Sequence, residues 1–260
     1  STLFPYTTLF RSGSARRGRP GRMTVIDIVV GLGWGDEGKG ATVDALVAAR
    51  GVGNTLRFNG GHQAAHNVIA DGVHHTFSTF GSGCLAGAAS WIGPRCTIDP
   101  LAAVNEQRAL SRALARTTPP TPPAPRVRVH RDALVTTPLH VIVNRARESA
   151  RGPERHGSTG TGFGETIAYA HRGFAPLRAG DMGDPDLIAD HLARYAERSD
   201  LIEGVDADWL ARMAQDLQSC FARVYDVVTD EELLAMIATG DVVMEGAQGL
   251  MAEPDRKSVV

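Results

Sequence analysis

Three residues early in the chain carry the chemistry: Asp36, Lys39 and His66. The first two lie in Gly31-Leu32-Gly33-Trp34-Gly35-Asp36-Glu37-Gly38-Lys39-Gly40. A turn this rich in glycine lets backbone N–H groups approach an anion, and the lysine adds a compact positive charge. The spacing Gly33-x4-Gly38-Lys39 meets most of a P-loop pattern. It departs after the lysine, where a Ser or Thr should hold Mg²⁺ and Gly40 stands instead. Asp36, inside the loop, can take over the metal and also touch whatever reacts at the terminal phosphate. The chain has 27 Lys+Arg, yet lysine occurs only at Lys39 and Lys257. An otherwise arginine-only chain that keeps a lysine in this loop points to a tight point-charge site.

His66 belongs to Gly60-Gly61-His62-Gln63-Ala64-Ala65-His66-Asn67. His62 and His66 at i, i+4 would form a metal pair on a helix, but no Glu follows His62, so the zinc-protease pattern is absent. From this stretch alone His66 reads equally as a catalytic group or as a satisfied polar residue. A second glycine-rich loop, Gly157-Ser158-Thr159-Gly160-Thr161-Gly162-Phe163-Gly164, suits a second phosphate, and Arg172 follows within reach. Glu245-Gly246-Ala247-Gln248-Gly249 reads as a turn at the carboxyl end of a strand, where ligands collect in open parallel sheets.

The elements that must position these residues read as α/β, with a P-loop-like, mainly parallel central sheet flanked by helices. The apolar run 25–30 predicts a buried strand before the first loop and 42–49 a helix after it. A second strand is expected over 54–59. Asp71-Gly72 marks a hairpin turn, with His74 and His75 at the surface. A strand is expected from Phe77 to Leu85, and one short strand from Ser90-Trp91-Ile92 and Cys96-Thr97-Ile98. Asp99-Pro100 opens a helix over 101–115. Val127–His130 alternates like a strand, and a helix follows over 137–150, with Asn144, Arg145 and Arg147 on its polar side. Residues 185–198, 206–228 and 231–239 read as amphipathic helices, and 241–244 as a late strand. The run 117–125 holds five prolines and reads as a polyproline-type spacer.

At 260 residues and net charge −2, the chain has enough length for a sizeable core and no general affinity for nucleic acid or membrane surfaces. No apolar run is long enough to span a bilayer. Cys84, Cys96 and Cys220 fit no zinc pattern and suggest a reducing, cytoplasmic compartment. Residues 1–22 fit a non-native or disordered leader, a transit peptide being the other reading. Residues 23–251 form the α/β domain, and 252–260 read as a non-native tail.

The blocks Trp34–Gly40, Gly60–His66, Ser158–Gly160 and Glu245–Gly249 resemble adenylosuccinate synthetase, in order and at matching spacing. The resemblance covers a little over the N-terminal half of a family chain, so the C-terminal part of the fold is expected to be missing. It implies a ligase of purine nucleotide biosynthesis, cytoplasmic and homodimeric. The family uses GTP and Mg²⁺ to join L-aspartate to IMP through a 6-phosphoryl-IMP intermediate, giving adenylosuccinate. By resemblance, Asp36 takes the N1 proton and ligates the metal together with the Ala65 carbonyl, and His66 acts as the acid. Gly35, Asp36, Glu37, Gly38, Lys39, Gly40 and Ala41 hold GTP, with Ala65, His66 and Asn67. Asp36, Lys39, Gln63, His66, Thr159, Arg172 and Gln248 hold IMP, with Arg172 reaching across a dimer interface. The family's aspartate and guanine sites lie beyond the matching part, so the chain alone is expected not to complete the reaction and to expose apolar surface. Gly33, Gln63, Ala65, Thr161 and the run Glu165–Ala168 depart from the family pattern. They cluster around the purine, which leaves open a paralogue acting on another purine nucleotide, or a non-catalytic nucleotide-binding module.

Overall fold

The computed structural model describes residues 7–13, 25–116, 126–154 and 157–249. Strand β1 (Thr7–Gly13) runs antiparallel to β2 (Val25–Gly31), and the glycine-rich loop leads from β2 into α1 (Lys39–Arg50) and β3 (Asn54–Arg57). The short β4 (Gly60–Gly61) precedes a hairpin of β5 (His66–Ala70) and β6 (Val73–Phe77). Asp71 and Gly72 close that hairpin with φ of 51° and 75°, as a type I′ turn requires. Next come β7 (Ala89–Ile92), β8 (Cys96–Ile98), α2 (Pro100–Leu114), β9 (Val127–His130), β10 (Leu134–Val135) and α3 (Pro138–Ala150). The chain then forms α4 (Phe163–His171), α5 (Pro185–Ala196), α6 (Ala207–Val224), β11 (Tyr225–Val228), α7 (Asp230–Thr239) and β12 (Val242–Gly249).

The main sheet has the order β1-β2-β12-β3-β7-β9-β11. Every pairing from β2 onward is parallel. Strand β4 pairs with β8, and β8 with β10, in a separate small sheet. Parallel strands need helical crossovers, so both faces of the sheet are covered. Successive residues of β12 show it: Val243 packs with Val29, Val43 and Val47 under α1, whereas Val242 packs with Leu56, Leu233 and Met236 under α7. The largest core cluster joins Phe77, Phe80, Leu110, Val129, Leu139, Leu192, Leu217 and Tyr225.

Helix starts are built in two ways. Asp99 accepts the Leu101 and Ala102 N–H groups of α2 at 2.9 and 3.0 Å, with Pro100 at the first position. Asp184, Asp206 and Thr229 cap α5, α6 and α7 in the same manner. Helix α1 has no side-chain cap; Gly38 takes the left-handed conformation there, with φ of 71°. Its first N–H groups therefore keep their capacity for an anion.

Several sequence-based expectations are corrected. The helix over 206–228 stops at Val224, because Tyr225–Val228 pairs in register with β9. The strand over 77–85 ends at Phe77, and Ser82–Cys84 forms a single 3₁₀ turn packed on α1 and β3. Ser90–Ile98 divides into two strands of different sheets. His75 is buried against α2 rather than exposed, within 3.9 Å of Glu106. Glu245–Gly249 is a continuation of β12 with a shift in register, not a turn. Thr7–Gly13, within the leader set aside above, joins the sheet edge. The proline-rich run 117–125 lies outside the described residues.

Candidate active site

The first loop leaves the carboxyl end of β2 and faces the start of β5. Asp36, Glu37, Gly38, Lys39, Gly40, Ala65, His66 and Asn67 line one cleft of about 240 Å³. Gly35 and Ala41 flank that set along the chain. Asp36 is exposed and holds a positive φ of 53°, uncommon outside glycine. Lys39 opens α1 and is buried; burial lowers its pKa, against the attraction of Glu37 and Glu245. Glu37 is folded into the loop. Its Oε1 accepts the Gly33 N–H at 2.6 Å, and its Oε2 lies 3.7 Å from Lys39 Nζ.

Gly40, where a P-loop has a hydroxyl residue, has a steric reason. A Cβ there would stand 2.9 Å from His66 Cβ and 3.2 Å from the Asn67 carbonyl and Ser82 Oγ. The close approach of β5 to α1 brings the histidine to the glycine-rich loop and excludes a side chain at Gly40.

No helix carries His62 and His66. His66 opens β5 and is held from behind. Its Nδ1 stands 2.5 Å from Glu245 Oε1, and its Nε2 donates to the Ala247 carbonyl at 2.8 Å. The ring thus lies between the Glu245 carboxylate and the Ala247 carbonyl, with the Arg57 guanidinium 3.5 Å from Nδ1. Glu245 is fully buried on β12 and accepts from the backbone N–H and hydroxyl of Ser82, the former at 3.0 Å. Burial opposes its charge, but Arg57, His66 and Ser82 outweigh burial and hold its pKa down at about 2. Arg57, at the end of β3, donates to the Ser78 carbonyl and, at 3.0 Å, to the Ala64 carbonyl. Arg57 thus ties the histidine loop to the sheet.

His62 has a different task. Burial lowers its pKa, so it stays neutral; Nε2 donates to the Thr161 carbonyl at 3.1 Å while Nδ1 takes the Thr97 hydroxyl at 3.2 Å. His62 and α3 together fasten the second glycine loop. Arg145 Nε donates to the Gly160 carbonyl at 3.1 Å, and Asn144 bonds Ser158 Oγ and the Gly162 N–H. Thr159 stays exposed on this loop, its hydroxyl 2.9 Å from that of Thr161. Gln63 is half-buried, and among the described residues neither atom of its amide has a hydrogen-bond partner. Gln248 is half-buried on β12, one residue beyond the carbonyl that holds His66. Arg172 ends α4 and lines a different cleft, with Arg147, Glu165, Tyr195 and Arg198, so the chain does not bring it to the loop.

Asp36 and Ala65 are both exposed on the loop cleft, and a carboxylate with a carbonyl, completed by phosphate oxygens, is a donor set suited to Mg²⁺. Among the described residues, His130, Asp132 and Asp230 also bring ligand atoms within 4.8 Å of one another. His130 Nδ1 already accepts the Asp132 N–H at 3.2 Å, and its Nε2 lies 3.2 Å from Asp230 Oδ1.

Arg57, Ser82 and the carboxylate of Glu245 were not singled out by sequence as parts of the site. The available signal was a charged residue at the end of the short strand 54–57 and one directly after the apolar run 242–244.

The model of the family described as adenylosuccinate synthetase matches residues 28–258. Adenylosuccinate synthetase of Ralstonia pickettii is 34% identical over 242 residues, 88% of this chain and 51% of the relative. That of Nitrosococcus oceani is 31% identical, over 88% of this chain and 53% of the relative. The chain thus spans about half the length of the curated relatives it matches. Among solved structures, a fully ligated adenylosuccinate synthetase from Plasmodium falciparum superposes with a TM-score of 0.69 at 20% identity, covering 88% of this chain and 52% of that one. A cyanophage S-2L succinoaminodeoxyadenylate synthetase bound to dGMP and dATP has a TM-score of 0.53 at 19% identity, covering 86% and 51%. At those identities the likeness is one of fold.

Proposed function

The chain belongs to the adenylosuccinate synthetase family, and from that premise we propose that it carries the phosphoryl-transfer half of a GTP-dependent purine nucleotide ligase. The substrates are GTP, IMP and L-aspartate. Asp36 removes the N1 proton of IMP, the 6-oxygen attacks the γ-phosphorus of GTP, and GDP leaves; the aspartate amine then displaces phosphate from C6, giving adenylosuccinate. Lys39 and the uncapped start of α1 hold the phosphates. His66, primed as a donor by Glu245, exchanges its Ala247 bond for a phosphate oxygen as charge develops there. Mg²⁺, when bound, neutralises phosphate charge, with Asp36 and Ala65 as the ligands this chain offers. Gln63, Thr159 and Gln248 hold IMP, and Arg172 does so from a second copy in a homodimer. The chain spans about half the length of its relatives, so ligation is tested in a form that spans the family's length.

The observation that carries this reading is the single cleft in which Asp36, Lys39 and His66 meet. Its test is Asp36→Asn in a form of the protein that spans the family's length. Adenylosuccinate formation, followed by chromatography, should disappear while the melting curve is preserved. Unchanged turnover would remove Asp36 as the base. The unpartnered Gln63 amide favours a second reading, a different purine monophosphate. Competition between IMP and dGMP for the chain decides between the two. The three cysteines are unpaired, in keeping with a cytoplasmic setting. Among the described residues no helix is long and apolar enough to cross a membrane.

A further inference from the structure

The phosphate loop already holds an anion, and it is the loop's own. Glu37 is buried, with Oε1 on the Gly33 N–H at 2.6 Å and Oε2 facing the Lys39 ammonium at 3.7 Å. A Cβ at Gly31 would collide with Oε2, and one at Gly33 would stand 3.1 Å from Oε1, so the carboxylate is seated over the glycine backbone. Loop N–H groups and a lysine ammonium are the donors by which such loops hold phosphate oxygens. A polyphosphate therefore cannot engage both without moving Glu37.

We propose that Glu37 is an internal competitor for the phosphate site, a carboxylate latch that a polyphosphate must displace from Gly33 and Lys39 in order to bind. The inference rests on reading the loop as a phosphate site, and it adds that the loop's affinity is set by this residue. It also assigns a use to the buried glutamate beside Asp36: without a ligand it keeps the lysine paired, and with one it is released toward the cleft that Asp36 lines.

The test titrates inorganic triphosphate, which needs the loop but no purine recognition, into the full chain by calorimetry, with a melting curve for each variant. Glu37→Gln keeps the shape but removes the charge, and should lower the Kd for triphosphate about tenfold or more, one lost charge pair being enough for such a change. Glu37→Asp, one methylene shorter, cannot span to the Gly33 N–H and should fall between the two. It decides the matter if the Gln variant does not fold. Wild-type binding with no gain, or a loss, in both variants overturns the latch alone. No triphosphate binding in any of the three proteins overturns the phosphate-loop reading and the latch with it.

Discussion

Glu245 shows how much of the site depends on one charge. It is fully buried, and its ionised form is held by Arg57, His66 and Ser82 at a pKa of about 2. A carboxyl whose pKa is depressed on folding adds stability above its ordinary value of 4.5, and that contribution is lost as pH falls toward 2. Glu245→Gln should therefore destabilise the chain at pH 7 by about 3–5 kcal/mol, since it leaves Arg57 and His66 without their counter-charge. The difference from wild type should shrink as pH drops from 4.5 toward 2, which urea titrations across that range would read. An unchanged midpoint at pH 7 would mean that the buried charges are satisfied elsewhere. Glu245 holds the Nδ1 side of His66, so the same variant should weaken any activity that depends on this histidine.

At the scale of elements, the loop and α1 were legible because the signal is local: an apolar strand, glycines, a lysine and a helix, all between Val25 and Arg50. The reason for Gly40 was not legible, since it lies in the approach of β5. Gly40→Ser, which restores the usual P-loop residue, should destabilise by overpacking, about 1–3 kcal/mol, and weaken phosphate binding. Denaturant unfolding with a triphosphate titration would check both; a stable, tighter-binding variant would contradict the steric argument. Residues 206–228 misled for the opposite reason. Helical spacing runs on through Val228, but pairing with β9 overrides it at Tyr225. The junction of α3, α4 and α5 holds two buried histidines, His140 and His191, whose pKa values burial lowers to about 3 and about 4. Unfolded, each takes a proton below its ordinary 6.5, so stability should fall as pH drops from 6.5 through 4. His191→Gln should flatten that part of the profile, as read by melting temperature against pH.

At the scale of the whole molecule, the fold class could be read because alternating strands and helices demand a parallel sheet covered on both faces. The site could be read only as separate blocks. The His66–Glu245 contact spans 179 positions in the chain, and its existence depends on β12 inserting between β2 and β3, an order that no local pattern encodes. Two large apolar side chains of the loop itself face outward: Trp34 is 73% exposed and Leu32 42%. The central claim is that the β2–α1 loop is a nucleotide phosphate site depending on Lys39. Calorimetric titration of Mg²⁺·GTP into the wild-type chain and Lys39→Gln tests it most directly. Measurable binding by the wild type, and a loss of tenfold or more in a variant that still melts cooperatively, is the expected result; equal binding by the two proteins would contradict the account.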